Sequence, residues 1–318
     1  VRLPKRKDKK LMANAITGAF SGDKLTVDTM VGDPTFIPST IREDLDRSFL
    51  TEAIFRNGGP NNGVVAYAEA VSPFLVDDAE EVAEYGEIPL STMKTGKWKS
   101  VIGIKTALGI SVSLEQRRFN KIDQVSQQVT ALKNTMTRTD VRACLDAFDK
   151  ANAPTLNVTS WEDPKADPLK DIRSAKRMVR EAKPEGVDEQ KFGYKADTLV
   201  ISESVLEAAL DHENTQKFFR ATPAEDNPIF KGILPQSLVD LQIVTSSWLD
   251  EDEIYVMESG AAGFYSDGIP LTVTDLYAPN GDNGYGGTTQ SWRIDAFRHR
   301  VIAVDNPKAV VKITGAIS

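Results

Sequence analysis

The sequence is poor in the residues that most often carry chemistry. It holds one cysteine, Cys144, and two histidines, His212 and His299. A single cysteine excludes a disulfide framework and a cysteine-built zinc site. Neither histidine sits in an HExxH pattern or beside a second ligand at helical spacing, so a histidine-built metal site has no support. There is no GxSxG elbow, because Ser259 follows Met257-Glu258 and lacks the first glycine. Gly96-Lys97 lacks the upstream glycine of a phosphate loop. The run Gly281-Asp282-Asn283-Gly284-Tyr285-Gly286-Gly287 has the composition of a surface loop and not the GxGxxG pattern. The sequon Asn157-Val158-Thr159 has no secretory context. No apolar run nears the roughly 18 residues of a membrane span, and the opening residues are basic rather than signal-like. The expectation is a protein without catalytic residues, cofactor, metal or membrane contact.

What is present is ordinary for a globular chain. The 318 residues are 41% hydrophobic and 26% charged, which rules out wholesale disorder and leaves room for about two domains. Lys and Arg number 38 against 46 Asp and Glu, a net charge of −8. That charge is unevenly spread. Arg2, Lys5, Arg6, Lys7, Lys9 and Lys10 face only Asp8, so residues 1–10 carry +5 and the remainder −13. A basic arm of this kind suits an anionic partner, or is simply a solvated terminus. Residues 11–47 show no firm periodicity and read as an extended arm that needs another surface.

A short helix is expected over Ile41–Phe55, ending at Asn57-Gly58-Gly59-Pro60. From Gly63 the pattern becomes strand-like through Val71. An acidic block follows, Asp77, Asp78, Glu80, Glu81, Glu84 and Glu87, with no Lys or Arg among them. A basic limb then carries Lys94, Lys97, Lys99 and Lys105 between Trp98, Val101, Ile102 and Ile104. Two limbs of opposite charge read as a long projecting hairpin, which is marginal alone in water and leans on a neighbour. Edge strands whose charges block aggregation are the competing explanation.

Ser113 and Gln116 form a capping box, and Ile122, Val125, Val129, Leu132 and Met136 step by three and four. One amphipathic helix is expected from Ser113 to Lys150, with a bend or break at the Thr135, Thr137, Thr139 patch. Asp167 and Pro168 open a second helix with Leu169, Ile172, Ala175 and Val179 as its buried stripe. Thr198–Ile201 is a buried strand, and Ser204 with Glu207 caps the helix after it. Further strands are expected at Leu241–Thr245, Ile254–Met257, Ala262–Tyr265, Leu271–Thr274, Ser291–Phe297, Arg300–Val304 and Ala309–Thr314. The fold class is α+β.

This order of arm, hairpin, long helix, α/β unit and returning strands resembles the major capsid proteins of tailed double-stranded-DNA phages, the Hong Kong 97-type fold. The sharpest local pieces are Trp292–Val310, with its Pro307-Lys308-Ala309 turn, and Thr198–Ser202 with the later Leu241–Ser246 strand. The resemblance implies an N-terminal arm at 1–47 and an extended E-loop hairpin at 60–108. It implies a P-domain at 48–59, 109–165 and 290–306 with a spine helix at 113–150, and an A-domain at 166–289 and 307–318.

The implied function is a self-assembling shell of hexamers and pentamers, an icosahedral phage head around double-stranded DNA, assembled in the host cytoplasm and residing in the virion. Portal, scaffold or maturation protease, and decoration proteins are the implied partners. The hairpin charges Asp77, Asp78, Glu80, Glu81, Glu84, Glu87, Lys94, Lys97 and Lys99 would meet neighbouring subunits. The arm cations would meet DNA or a neighbour. Part of the family cross-links an E-loop Lys to an Asn beside a Glu. In register with Pro307 the corresponding places hold Gln290 and Phe297, which implies a shell without that bond. Two other readings stand beside this one: an encapsulin-type compartment enclosing protein cargo, and a soluble α+β enzyme using carboxylates or the Arg298-His299-Arg300 cluster. For that cluster the plainer expectation is a strand whose polar side faces a subunit contact.

Overall fold

The computed structural model describes residues 27, 31, 36–45, 49–184, 190–219, 235, 237–250, 253–279, 284–286 and 288–317. The arm cations therefore lie outside the described residues. The chain divides into two compact units: Val1–Phe49, Ile104–Asp140 and Asp267–Arg300 form one, and Leu50–Gly103, Val141–Ser266 and Val301–Ser318 the other.

In the first unit, helix α1 (Phe36–Leu45) precedes the later segments. Strand β4 (Ile104–Ser113) pairs antiparallel with β11 (Ser291–Ala303) from Ser291↔Ser113 to Arg300↔Ile104, and β10 (Phe264–Val273) flanks β11 on its other side. A short helix α3 (Leu114–Arg118) follows β4. The Ser113 hydroxyl accepts from the Gln116 N–H (3.2 Å) and the Gln116 side chain accepts from the Ser113 N–H (3.0 Å), so the expected capping box is formed. Helix α4 (Ile122–Lys150) then runs for 29 residues. Its stripe of Val125, Val129, Leu132 and Met136 is buried with Ile37, Ile41 and Leu45 of α1 and with Val112, Trp292, Ile294 and Ala296 of the sheet.

The break in the long helix differs from expectation. It falls at Phe119–Lys121, where Asn120 takes φ +50° and its side chain accepts from the Val27 N–H at 2.7 Å. Asparagine tolerates that left-handed conformation better than other non-glycine residues. The threonine patch does not break α4. Thr135 and Thr139 donate their hydroxyls to the carbonyls of Ala131 and Thr135, one turn back, and the ladder continues.

In the second unit a six-stranded mixed sheet has the order β5 (Thr155–Asn157), β12 (Val310–Thr314), β9 (Ile254–Met257), β6 (Thr198–Ile201), β8 (Leu241–Thr245), β7 (Ser237–Leu238). Every residue of β6 and β9 is buried, as their unbroken apolar runs require. Helix α5 (Pro168–Arg180) buries Leu169, Ile172, Ala175 and Val179, and Asp167 caps it by accepting from the Lys170 N–H at 3.1 Å. Helix α6 (Glu203–Asp211) is capped by Ser202, not Ser204; the Ser204 hydroxyl instead bonds that of Ser202. Helix α7 (Glu213–Phe219) follows it. A second core gathers Phe55, Cys144, Phe148, Tyr255 and Met257.

Other boundaries shift as well. The helix expected over Ile41–Phe55 is two helices, α1 and α2 (Leu50–Ile54), and Arg56–Pro60 is strand β1, where a helix end was expected. The two expected strands within 262–274 are one strand, β10. The two within 291–304 are likewise one strand, β11. Strand β11 stays continuous through Arg298-His299-Arg300 because its two inward arginines find carboxylates.

Candidate assembly surfaces

The hairpin is built from β2 (Val64–Ala68) and β3 (Trp98–Ile102), paired from Val64↔Ile102 to Ala68↔Trp98. Its base is well fastened. The Gly63 carbonyl accepts from the Gly103 N–H at 2.8 Å and the Asp305 carbonyl from the Ala70 N–H at 3.2 Å. The Ser72 hydroxyl donates to the Gln190 side chain at 3.2 Å, and Tyr67 meets Phe264 edge-on at 5.7 Å. Gly96 is a required glycine, since a Cβ there would collide with the Glu69 carbonyl oxygen across the hairpin.

Beyond the ladder the two limbs touch at the isolated bridge Leu75↔Met93, with Val76 N–H to Thr92 O at 2.9 Å and Asp77 N–H to the Ser91 hydroxyl at 3.0 Å. Asp77, Asp78, Glu80, Glu81, Glu84, Glu87, Lys94 and Lys97 are all exposed, and none is in an ion pair among the described residues. Lys99 behaves differently: its ammonium pairs with Glu69 in the same hairpin, and that hydrogen bond raises its pKa. Glu69 is thus a hairpin residue that sequence reading passed over.

The larger omission is apolar. Tyr85 (98% exposed), Leu90 (97%) and Ile88 (78%) stand in solvent together with Phe74, Leu75, Val76 and Met93. So many exposed large apolar residues within one segment are the kind of feature that marks an interaction surface. Its sequence signal was the run of large apolar residues interleaved with the acidic block.

The Arg298-His299-Arg300 cluster overturns its expectation of a polar side facing a subunit contact. Alternation puts Arg298 and Arg300 on the inner face of β11, where they are 3% and 7% exposed. Arg298 pairs with Asp140 of α4 and stacks on Phe49, 4.2 Å from the ring centroid. Arg300 is held by Asp267 of β10 at 2.6 and 2.8 Å, a bidentate pair. His212 is also structural: it is buried, bonding the Asp163 carbonyl at 3.2 Å and accepting from the Asn214 N–H. Phe297 lies under the Lys105 ammonium, 5.1 Å away, and Gln290 is an exposed residue at φ +41°. Among the described residues no group of three or more His, Cys, Asp or Glu could hold a metal, and no helix is long and apolar enough to cross a membrane.

A family model described as phage capsid protein matches residues 99–313. A virus-like particle from Pyrococcus furiosus is similar at 11% identity over 86% of this chain and 96% of that one, with a TM-score of 0.54. The mature capsid of bacteriophage PhiM1 is similar at 12% over 84% and 87%, TM-score 0.54. A structure from Mycobacterium phage Che8 is similar at 18% over 81% and 86%, TM-score 0.53. No curated protein sequence matches the chain. The structural likenesses carry the fold, and the family match runs through most of the chain, so the protein belongs to the phage capsid protein family and is a capsid shell protein of the Hong Kong 97-type fold.

Proposed function

We propose that copies of this chain assemble as hexamers and pentamers into an icosahedral head that encloses double-stranded DNA. The observation that carries this is the exposed apolar set on the hairpin from Phe74 to Met93, which one copy leaves in water. Burying it at about 25 cal/mol per Å² would favour association, and a neighbouring copy is the partner always at hand. In this reading residues 60–108 are the E-loop and 1–47 the arm. Residues 48–59, 109–165 and 290–306 form the P-domain, and 166–289 with 307–318 the A-domain. The negative body would limit trapping of the genome, since Lys and Arg contacts dominate DNA affinity.

Negative-stain microscopy of the purified protein tests the shell directly. Closed shells are expected from the full chain, whereas deleting residues 64–104 should leave the six-stranded sheet folded and abolish them. Normal shells after that deletion would refute the hairpin's role. The likeness to the Pyrococcus furiosus virus-like particle favours a second reading, a compartment around protein cargo. Nuclease-resistant DNA inside particles from infected or lysogenic cells supports the head; a co-purifying enzyme without DNA supports the compartment.

A further inference from the structure

The solvent face of α5 has no explanation so far. Opposite its buried stripe stand Lys170, Arg173, Arg177 and Arg180, all exposed and spaced by three, four and three residues. That spacing makes one cationic stripe, about 15 Å long at 1.5 Å per residue. Lys170, Arg177 and Arg180 are in no ion pair among the described residues, while Lys176, off the stripe, is bonded to the Val239 carbonyl at 3.0 Å. The helix dipole accounts for cations only in the last turn. Lys170 sits in the first turn, where a positive charge is unfavourable, so the stripe as a whole is not a capping device. In a chain of net charge −8 it is a local exception.

We propose that this face of α5 receives the acidic block of a neighbouring copy's hairpin, an inference that rests on the shell reading above. The complement is on the same chain: Asp77, Asp78, Glu80, Glu81, Glu84 and Glu87 are exposed and in no ion pair among the described residues, like Lys170, Arg177 and Arg180 of the stripe. An extended segment from 77 to 87 spans at most about 33–36 Å, enough to cover the stripe. Each side also carries an apolar group among its charges, Val82 (43% exposed) in the block and Met178 (37%) beside the stripe. Phosphate would match the cations but offers nothing to the methionine. A second copy matches both, and every copy supplies one donor and one acceptor surface.

Charge exchange tests it. The quadruple variant Lys170→Glu, Arg173→Glu, Arg177→Glu, Arg180→Glu is expected to raise the protein concentration needed for shell closure at least tenfold in low salt, with an unchanged circular dichroism spectrum. The triple variant Glu80→Lys, Glu81→Lys, Glu84→Lys should do the same. Both losses should shrink at high salt, because exposed charges are screened within about 10 Å at 0.1 M. The decisive sample carries both sets of reversals, and recovery of assembly supports the pairing. Wild-type assembly by either reversed variant, or additive loss in the combined one, overturns it. Normal shells that retain less DNA would overturn it too and assign the stripe to nucleic acid. Failure of the unmodified protein to form shells in any condition would count against the shell reading itself.

Discussion

Asp140 is fully buried and faces two arginines, so its carboxylate is held in place by charge rather than by water. Removing one member of a buried ion cluster leaves the others uncompensated, which costs more than the cluster is worth intact. Asp140→Ala should therefore destabilise the subunit by about 3–5 kcal/mol. Asp140→Leu combined with Arg298→Met should cost much less, because Arg298 already has Nε and Nη1 buried without acceptors among the described residues. Urea unfolding of the unassembled subunit decides; equal losses in the two variants would contradict this account. A second residue sets the alkaline limit. Burial, with Asp305 and Glu258 nearby, pushes the Tyr194 hydroxyl up from its ordinary 10.0 to about 12. The raised value means the fold favours the neutral phenol. That contribution is intact below pH 10 and is lost as pH climbs from 10 to 12. Tyr194→Phe should show a shallower fall in stability over this interval than the parent; parallel curves would exclude Tyr194 as the cause.

At the scale of elements, α4 shows which features a sequence displays. Val125, Val129, Leu132 and Met136 announced a buried stripe because the 3.6-residue period is written directly into residue type. The interruption at Asn120 was hidden, since it depends on one left-handed residue and a bond from a distant N–H, Val27. Replacing Asn120 with alanine loses both, at a cost of about 1–2 kcal/mol for the conformation alone. Thr135→Ala, on the patch expected to break the helix, should shift stability by less than about 0.5 kcal/mol. A larger effect at Thr135 than at Asn120, measured by denaturation midpoint, would reverse this assignment. Strand β11 was misread for a related reason. Arg298-His299-Arg300 reads as a polar face for a subunit contact, with a break between two strands, until Asp140 and Asp267 arrive from elements far away in sequence. On the hairpin the charges were legible one by one. The exposure of Tyr85, Ile88 and Leu90 was not, because exposure is a property of the fold and of its neighbours.

For the whole molecule, the expectation is a shell held without covalent links. Lys94 and Lys97 are exposed amines, but Lys99 is engaged by Glu69, and the register implied by the family resemblance puts Phe297 at the place of the cross-linking glutamate. Without a proton acceptor at that place, attack on a side-chain amide has no base. Boiled particles should run as a single band near 34.9 kDa on a denaturing gel, and a ladder of hexamer- and pentamer-sized species would refute this. The sparse distal hairpin has one more consequence. Beyond Ser72 the limbs are joined, among the described residues, by the Leu75↔Met93 bridge and the few bonds beside it, while the segment before it is clamped by a ladder and several main-chain and side-chain bonds. A dense ladder resists bending and a sparse one yields. In the proposed shell, copies of one chain would surround both five-fold and six-fold axes and so would meet at different dihedral angles. The yielding segment would let the joint take up that difference, so that identical rigid bodies could tile a closed surface without deforming their cores.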